Sequence, residues 1–154
     1  MTTMGTRMTR TARIFADFLL QTNFFMLLHK ELTDQILNAF YEVYKELGYG
    51  FLEKVYQNAL FFELRDRGFH VVPQRRCEVF YKGREVGEYF SDLIINDVII
   101  LELKACTSIL EEHELQLQNY LKASSIEVGF VMNFGKTPEF SRIVFSNYKK
   151  NLKK

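Results

Sequence analysis

Tyr89-Phe90-Ser91-Asp92-Leu93-Ile94-Ile95-Asn96-Asp97-Val98-Ile99-Ile100-Leu101-Glu102-Leu103-Lys104-Ala105 reads as buried sheet interrupted by charge. An unpaired carboxylate or ammonium inside a sheet is strongly disfavoured, so each of these charges needs a partner, a bound cation or an opening to solvent. Glu102 and Lys104 are two apart and project from the same face of a strand. A solvated ion pair on a polar face does not explain them. Ile99, Ile100, Leu101, Leu103 and Ala105 leave this strand without a polar face.

Asp92 belongs to the strand before, and strand parity decides whether it can join them. If Asn96-Asp97 were a two-residue hairpin loop, Ile95 would pair with Val98, and Asp92 and Glu102 would face opposite sides. A loop of odd length, such as Asn96-Asp97-Val98 with Ile95 opposite Ile99, brings the two carboxylates to one side, as would a bulge. The sequence predicts one of these two solutions.

Working outward, Ile36, Leu37, Phe40, Val43, Tyr44 and Leu47 recur at helical spacing from Thr33. Gly48-Tyr49-Gly50 reads as a tight corner, with Gly50 as N-cap of a second helix that carries Leu52, Val55, Tyr56, Ala59, Leu60 and Leu64 up to Gly68. Extended segments at 70–81, 85–95 and 98–105 predict an antiparallel meander, the first two joined at Lys82-Gly83. Ser108-Ile109-Leu110-Glu111 fits a capping box opening a helix to about Lys122. Strands at 127–134 and 141–147 follow. The order α-α-β-β-β-α-β-β predicts an α/β sandwich with a central mixed sheet flanked by helices.

With 154 residues the chain suffices for one well-buried core, expected over 28–150, with 1–27 an N-terminal extension forming a peripheral helix or poorly ordered. The net charge of +1 excludes a generally basic polymer binder, so contact with nucleic acid would need local patches such as Arg75, Arg76, Lys82 and Arg84. Cys77 and Cys106 lack metal or disulfide spacing and suit a reducing cytoplasm. The apolar runs of the first 30 residues are too short and interrupted to span a membrane.

A hard cation such as Mg²⁺ or Mn²⁺ prefers carboxylate, carbonyl and water oxygens, usually with one or two protein carboxylates. Asp92 and Glu102 could supply those, with the Leu103 carbonyl as a third ligand and Lys104 orienting or stabilising a hydroxide nucleophile. No nucleophilic triad, Walker loop or dinucleotide fingerprint is present.

Together with Gly50-Phe51-Leu52-Glu53-Lys54-Val55-Tyr56, these residues resemble the GxxExxY family, a branch of the PD-(D/E)XK nuclease superfamily, over roughly residues 28–147. Gly50, Glu53 and Tyr56 match the name motif, Asp92 the superfamily aspartate and Glu102-Leu103-Lys104 the (D/E)XK element. Gln116-Leu117-Gln118-Asn119-Tyr120 is similar to the QhxxY motif of RecB-like nucleases, while Ser91 stands where the superfamily name has proline. The resemblance implies a restriction-endonuclease-like fold and makes Glu53 a further carboxylate of a metal site. Read from the helix alone, Glu53 is the third helical residue after Gly50, favourable to the helix dipole. The resemblance also implies that Gln116 lies beside the metal-bound water or Lys104, and that Tyr120 lies near the nucleic-acid backbone. Tyr56 would hold Glu53 or contact a phosphate, and reads equally well as a core aromatic, just as Tyr120 also reads as helix packing beside Leu117 and Leu121.

The expectation is a Mg²⁺- or Mn²⁺-dependent nuclease acting on DNA in preference to RNA. A homodimer would pair two such sites. The alternatives are a catalytically weak or inactive nucleic-acid-binding module, or a protein-interaction module whose unidentified partner docks on Phe15, Phe18, Phe24 and Phe25.

Overall fold

The computed structural model describes residues 9–150, with the backbone alone for 21–27. The chain falls into two units, one ending at Thr33 and one beginning at Asp34. In the first, helix α1 (Arg10–Leu27) is capped by Thr9, whose hydroxyl oxygen accepts the Ala12 N–H at 3.2 Å. Ile14, Phe15, Phe18, Leu19 and Leu20 are exposed along it, and the side chains of Phe24 and Phe25 lie outside the described residues.

Helix α2 (Lys30–Leu47) buries Ile36, Ala39, Phe40 and Val43, the stripe its periodicity predicts. Gly48, with φ 68°, ends it in the left-handed conformation that glycine adopts without steric penalty. The following corner is held from helix α3 (Glu53–Asp66): the Tyr56 hydroxyl donates to the Gly48 carbonyl at 2.8 Å and accepts the Phe51 N–H at 3.2 Å. Those bonds hold residues 48–51 in the corner, outside the helix. The N-cap is therefore Leu52, and Glu53 is the first helical residue instead of the third.

The expected three-stranded meander is corrected to five strands in two sheets. Strands β1 (Val71–Pro73), β4 (Leu93–Ile95) and β5 (Ile99–Lys104) join β6 (Val128–Asn133) and β7 (Glu139–Val144) in a sheet of order β1-β4-β5-β6-β7. Strands β2 (Arg76–Tyr81) and β3 (Arg84–Phe90) form a separate two-stranded ribbon. The break falls where Gln74 turns left-handed, at φ 49°, after Pro73. Backbone bonds from Gln74 N–H to the Asp92 carbonyl and from Ser91 N–H to the Arg75 carbonyl then fasten the root of the ribbon, each at 3.1 Å. Beyond that root the whole of β3 is exposed.

Strands β5 and β6 pair in parallel, linked through helix α4 (Glu111–Ala123), while β7 closes the edge antiparallel to β6. Ser108 does not cap α4: the Ile109 N–H is held by the Glu139 carboxylate at 2.6 Å, and the Leu110 N–H that a Ser108 cap could accept is taken by His113. Leu110 becomes the N-cap, and its N–H is accepted by His113 Nδ1 at 3.1 Å. Ile94 and Ile100 turn one sheet face to Leu117, Tyr120 and Leu121 of α4. By strand alternation Glu102 and Lys104 share that face.

The ends of β5 and β6 are locked by the buried Asn133, whose side chain accepts the Cys106 N–H at 3.0 Å and donates to the Cys106 carbonyl at 2.9 Å. A Cβ on Gly135 would lie 2.1 Å from that same carbonyl oxygen. Gly135→Ala should therefore lower the urea midpoint by about 1–3 kcal/mol of stability, the usual cost of forced overpacking. An unchanged midpoint would show that the chain after Lys104 yields freely.

Candidate functional site

Strands β4 and β5 pair Leu93 with Leu101, Ile94 with Ile100 and Ile95 with Ile99. The loop is thus Asn96-Asp97-Val98, the odd length that parity requires, and the register extended by one step sets Asp92 level with Glu102. Asn96 and Asp97 both take left-handed backbone, at φ 49° and 58°, which these short polar residues tolerate best after glycine. The Asn96 side chain accepts the His70 N–H at 2.9 Å, and the Asp97 carboxylate pairs with Arg75 at 2.6 Å. At the other end of the strand pair, Asp92 Oδ2 accepts the Leu103 N–H at 2.7 Å, so the carboxylate is fastened across to β5.

Glu102 is 2% exposed and its Oε1 has no hydrogen-bond partner. Burial, then the charges of Asp92 and Glu53, push its carboxyl from 4.5 up to about 8, against the pull of Lys104 and the Asp92 backbone. Burial also raises the Asp92 carboxyl, opposed by the Leu103 N–H, Lys104 and Lys54. Glu53 lies at the solvent-open start of α3, yet partial desolvation raises it too, with Lys104 pulling down and Asp92 pushing up. Three acids and two lysines therefore share one electrostatic neighbourhood.

Among the described residues no three His, Cys, Asp or Glu side chains form a group that could hold a metal ion as arranged. A hard cation with several waters needs only one or two protein carboxylates, and the Asp92 and Glu102 pair meets that requirement. The orphaned, buried Glu102 Oε1 is the atom whose environment such an ion would repair. The donors present therefore fit a hard divalent cation in number and hardness.

Two tyrosines singled out from the sequence are buried, and their hydroxyls bond backbone carbonyls. Tyr56 is 0% exposed, stacked on Phe134 at 4.4 Å, with its hydroxyl spent on the corner before α3, so it does not offer itself to a phosphate. It does fix the start of α3, and Glu53 with it. Tyr120 is 3% exposed and donates to the Phe90 carbonyl at 2.6 Å. Its hydroxyl is pushed up to about 12 by burial and then by the charge of Glu102. Tyr120 thus pins the root of the ribbon to α4 beside the acids. Gln116 lies half-buried one turn earlier, and its side chain opposes the upward push on the Tyr120 hydroxyl.

Sequence reasoning passed over Gln57 and Lys54. Gln57 is buried, its Nε2 donates to the Asp92 carbonyl at 3.0 Å, and its Oε1 accepts from Lys54 Nζ at 2.8 Å. The available signal was spacing: Gln57 lies four residues after Glu53 and shares its helix face. A polar residue there ordinarily reads as solvated surface.

The chain belongs to the PD-(D/E)XK nuclease superfamily, whose family model matches residues 30–143. Its mixed α/β architecture, a five-stranded mixed sheet with four helices, agrees with the restriction-endonuclease-like fold. A solved structure described as "Crystal structure of SSO0001" is similar at 22% identity and TM-score 0.48, over 59% of this chain and 48% of that one. The chain thus spans about half the length of that protein. No curated protein matches it. Among the described residues no helix is long and apolar enough to cross a membrane.

The electrostatics predict a pH-dependent stability. Between 4.5 and about 8 the folded chain keeps the Glu102 proton that the unfolded chain has lost, so this group's contribution to stability falls as pH rises through that interval. In thermal melts with chelator, the midpoint should drop from about pH 5 to about pH 8, and Glu102→Gln should flatten the drop. Parallel profiles for the two proteins would contradict the assignment.

Proposed function

We propose that this protein is a metal-dependent nuclease that hydrolyses phosphodiester bonds, in DNA in preference to RNA. The observation that carries the reading is the odd β4–β5 loop, which sets Asp92 beside the buried Glu102 with Lys104 in the same field. Superfamily membership supports nuclease-like chemistry, and the Gly50, Glu53 and Tyr56 pattern supports the GxxExxY branch.

Asp92 and Glu102 would hold Mg²⁺ or Mn²⁺, with Glu53 approaching from α3 and the Leu103 carbonyl as a further oxygen donor. The ion when bound supplies Lewis-acid polarisation of the phosphoryl oxygen and a more acidic water. Lys104, two residues beyond Glu102 on the same strand face, places an ammonium against the negative charge that grows as the attacking oxygen approaches phosphorus. Gln116, one turn before Tyr120 on α4, would present its amide on the wall beside these acids. The sheet excludes water from the inner side of Glu102 and strengthens each of these interactions.

Lys104→Ala should leave the fold intact and lower divalent-dependent DNA cleavage by about 10²-fold or more, as loss of one electrostatic catalytic group does. Asp92→Asn should abolish calorimetric Mn²⁺ binding. Full turnover in Lys104→Ala would refute the role of the lysine. Salt-sensitive association with DNA, without Mn²⁺ binding or cleavage in the native chain, would instead favour a binding module on the same fold.

A further inference from the structure

Helix α3 presents a cation to the acidic site in a way that its motif does not announce. Lys54 lies on the exposed first turn of α3, beside Glu53. Its ammonium donates to Gln57 Oε1 at 2.8 Å, and Gln57, buried at 5% exposure, donates in turn to the Asp92 carbonyl at 3.0 Å. Lysine side chains on helix surfaces ordinarily keep their rotamer freedom or close a salt bridge with a carboxylate. Here the tether is a neutral amide, itself anchored in the sheet. Among the described residues no carboxylate lies within ion-pair distance of Lys54. Its positive charge is nevertheless close enough to Asp92 to favour that carboxylate's ionised form.

A cation fixed in place, exposed on one side and not neutralised by its tether is what a phosphate group binds. We infer that Lys54, positioned by Gln57, contacts a backbone phosphate of the nucleic acid next to the one being cleaved. Lys104 and Lys54 then divide the work. Lys104 lies on the sheet face among the acids, whereas Lys54 stands at the rim where the strand enters. The relay also explains the buried amide at position 57: an apolar residue there would leave the Asp92 carbonyl without this donor and the lysine without its tether. The inference rests on the nuclease reading, because the ligand it names is that reaction's substrate.

The test measures association and not turnover. Binding of a short fluorescent DNA duplex in EDTA, where the duplex stays intact, is followed against salt for the native chain, Lys54→Met and Lys54→Arg. Methionine keeps an unbranched apolar stem and removes the charge; arginine keeps the charge. A lysine on phosphate should cost Lys54→Met about one unit of the log–log salt slope and weaken binding several-fold at low salt. Lys54→Arg should stay near the native chain in both slope and affinity. A purely structural helix tether would shift the Lys54→Met melting temperature and leave the slope alone, which overturns the inference while the nuclease reading stands. Absence of any salt-dependent association by the native chain would remove the nucleic-acid reading and this inference together.

Discussion

The bond from the Leu103 N–H to Asp92 Oδ2 is the constraint on which the site depends. It exists only because β4 and β5 are joined by three residues, since one residue fewer would turn the Asp92 side chain to the opposite face of the sheet. Two consecutive left-handed residues, Asn96 and Asp97, make that odd loop. Their strain is offset locally, by the bond from the His70 N–H to Asn96 and by the ion pair of Asp97 with Arg75. The chemistry at one end of the strand pair is set by turn geometry at the other.

Holding the acids this way opposes folding. Glu102 enters a strand in which Ile99, Ile100, Leu101 and Leu103 are all buried, and one of its oxygens finds no donor. A core designed for stability alone would place an apolar residue there. The surrounding sheet compensates with parallel pairing along the whole of β5 and with the α4 cluster around Ile94, Ile100 and Val131. Beyond Lys104 the Asn133 clamp on Cys106 fixes how the chain leaves the strand. Stability is concentrated around the place where it is given up.

The register and the carboxylate pair were legible in the sequence because parity is a counting argument: only an odd loop or a bulge puts positions 92 and 102 on one side. The mixed sheet was legible from the element order, in which a helix separates two groups of strands. The separation of the ribbon β2–β3 from the main sheet was not, because segments 70–81 and 85–95 carry strand-forming residues throughout, and the break depends on a left-handed Gln74 that composition does not announce. The helix starts failed for a related reason. Gly50 and Ser108 are good local caps, yet the Phe51 N–H goes to Tyr56 and the Ile109 N–H to Glu139, partners five and thirty residues away. For Tyr56 and Tyr120 the sequence left a contact role and a packing role open, because a motif match does not say where a hydroxyl goes; both hydroxyls serve backbone carbonyls inside the fold.

The acids of the site are not equivalent, and their differences follow from backbone position. Asp92 has a backbone N–H donated to its carboxylate and two lysines in its field, so burial is partly offset. Glu53 is open to solvent at the first turn of α3, where the helix dipole also favours its charge. Glu102 sits deepest, keeps an orphaned oxygen and feels both other carboxylates, so it is the last of the three to ionise. Full ionisation of the trio at neutral pH therefore requires positive charge beyond the two lysines already present. A site built so cannot settle as a closed set of salt bridges, because three acids face two lysines and one of those, Lys54, is tethered to the Gln57 amide. Its electrostatic incompleteness follows from the way the sheet and α3 were assembled.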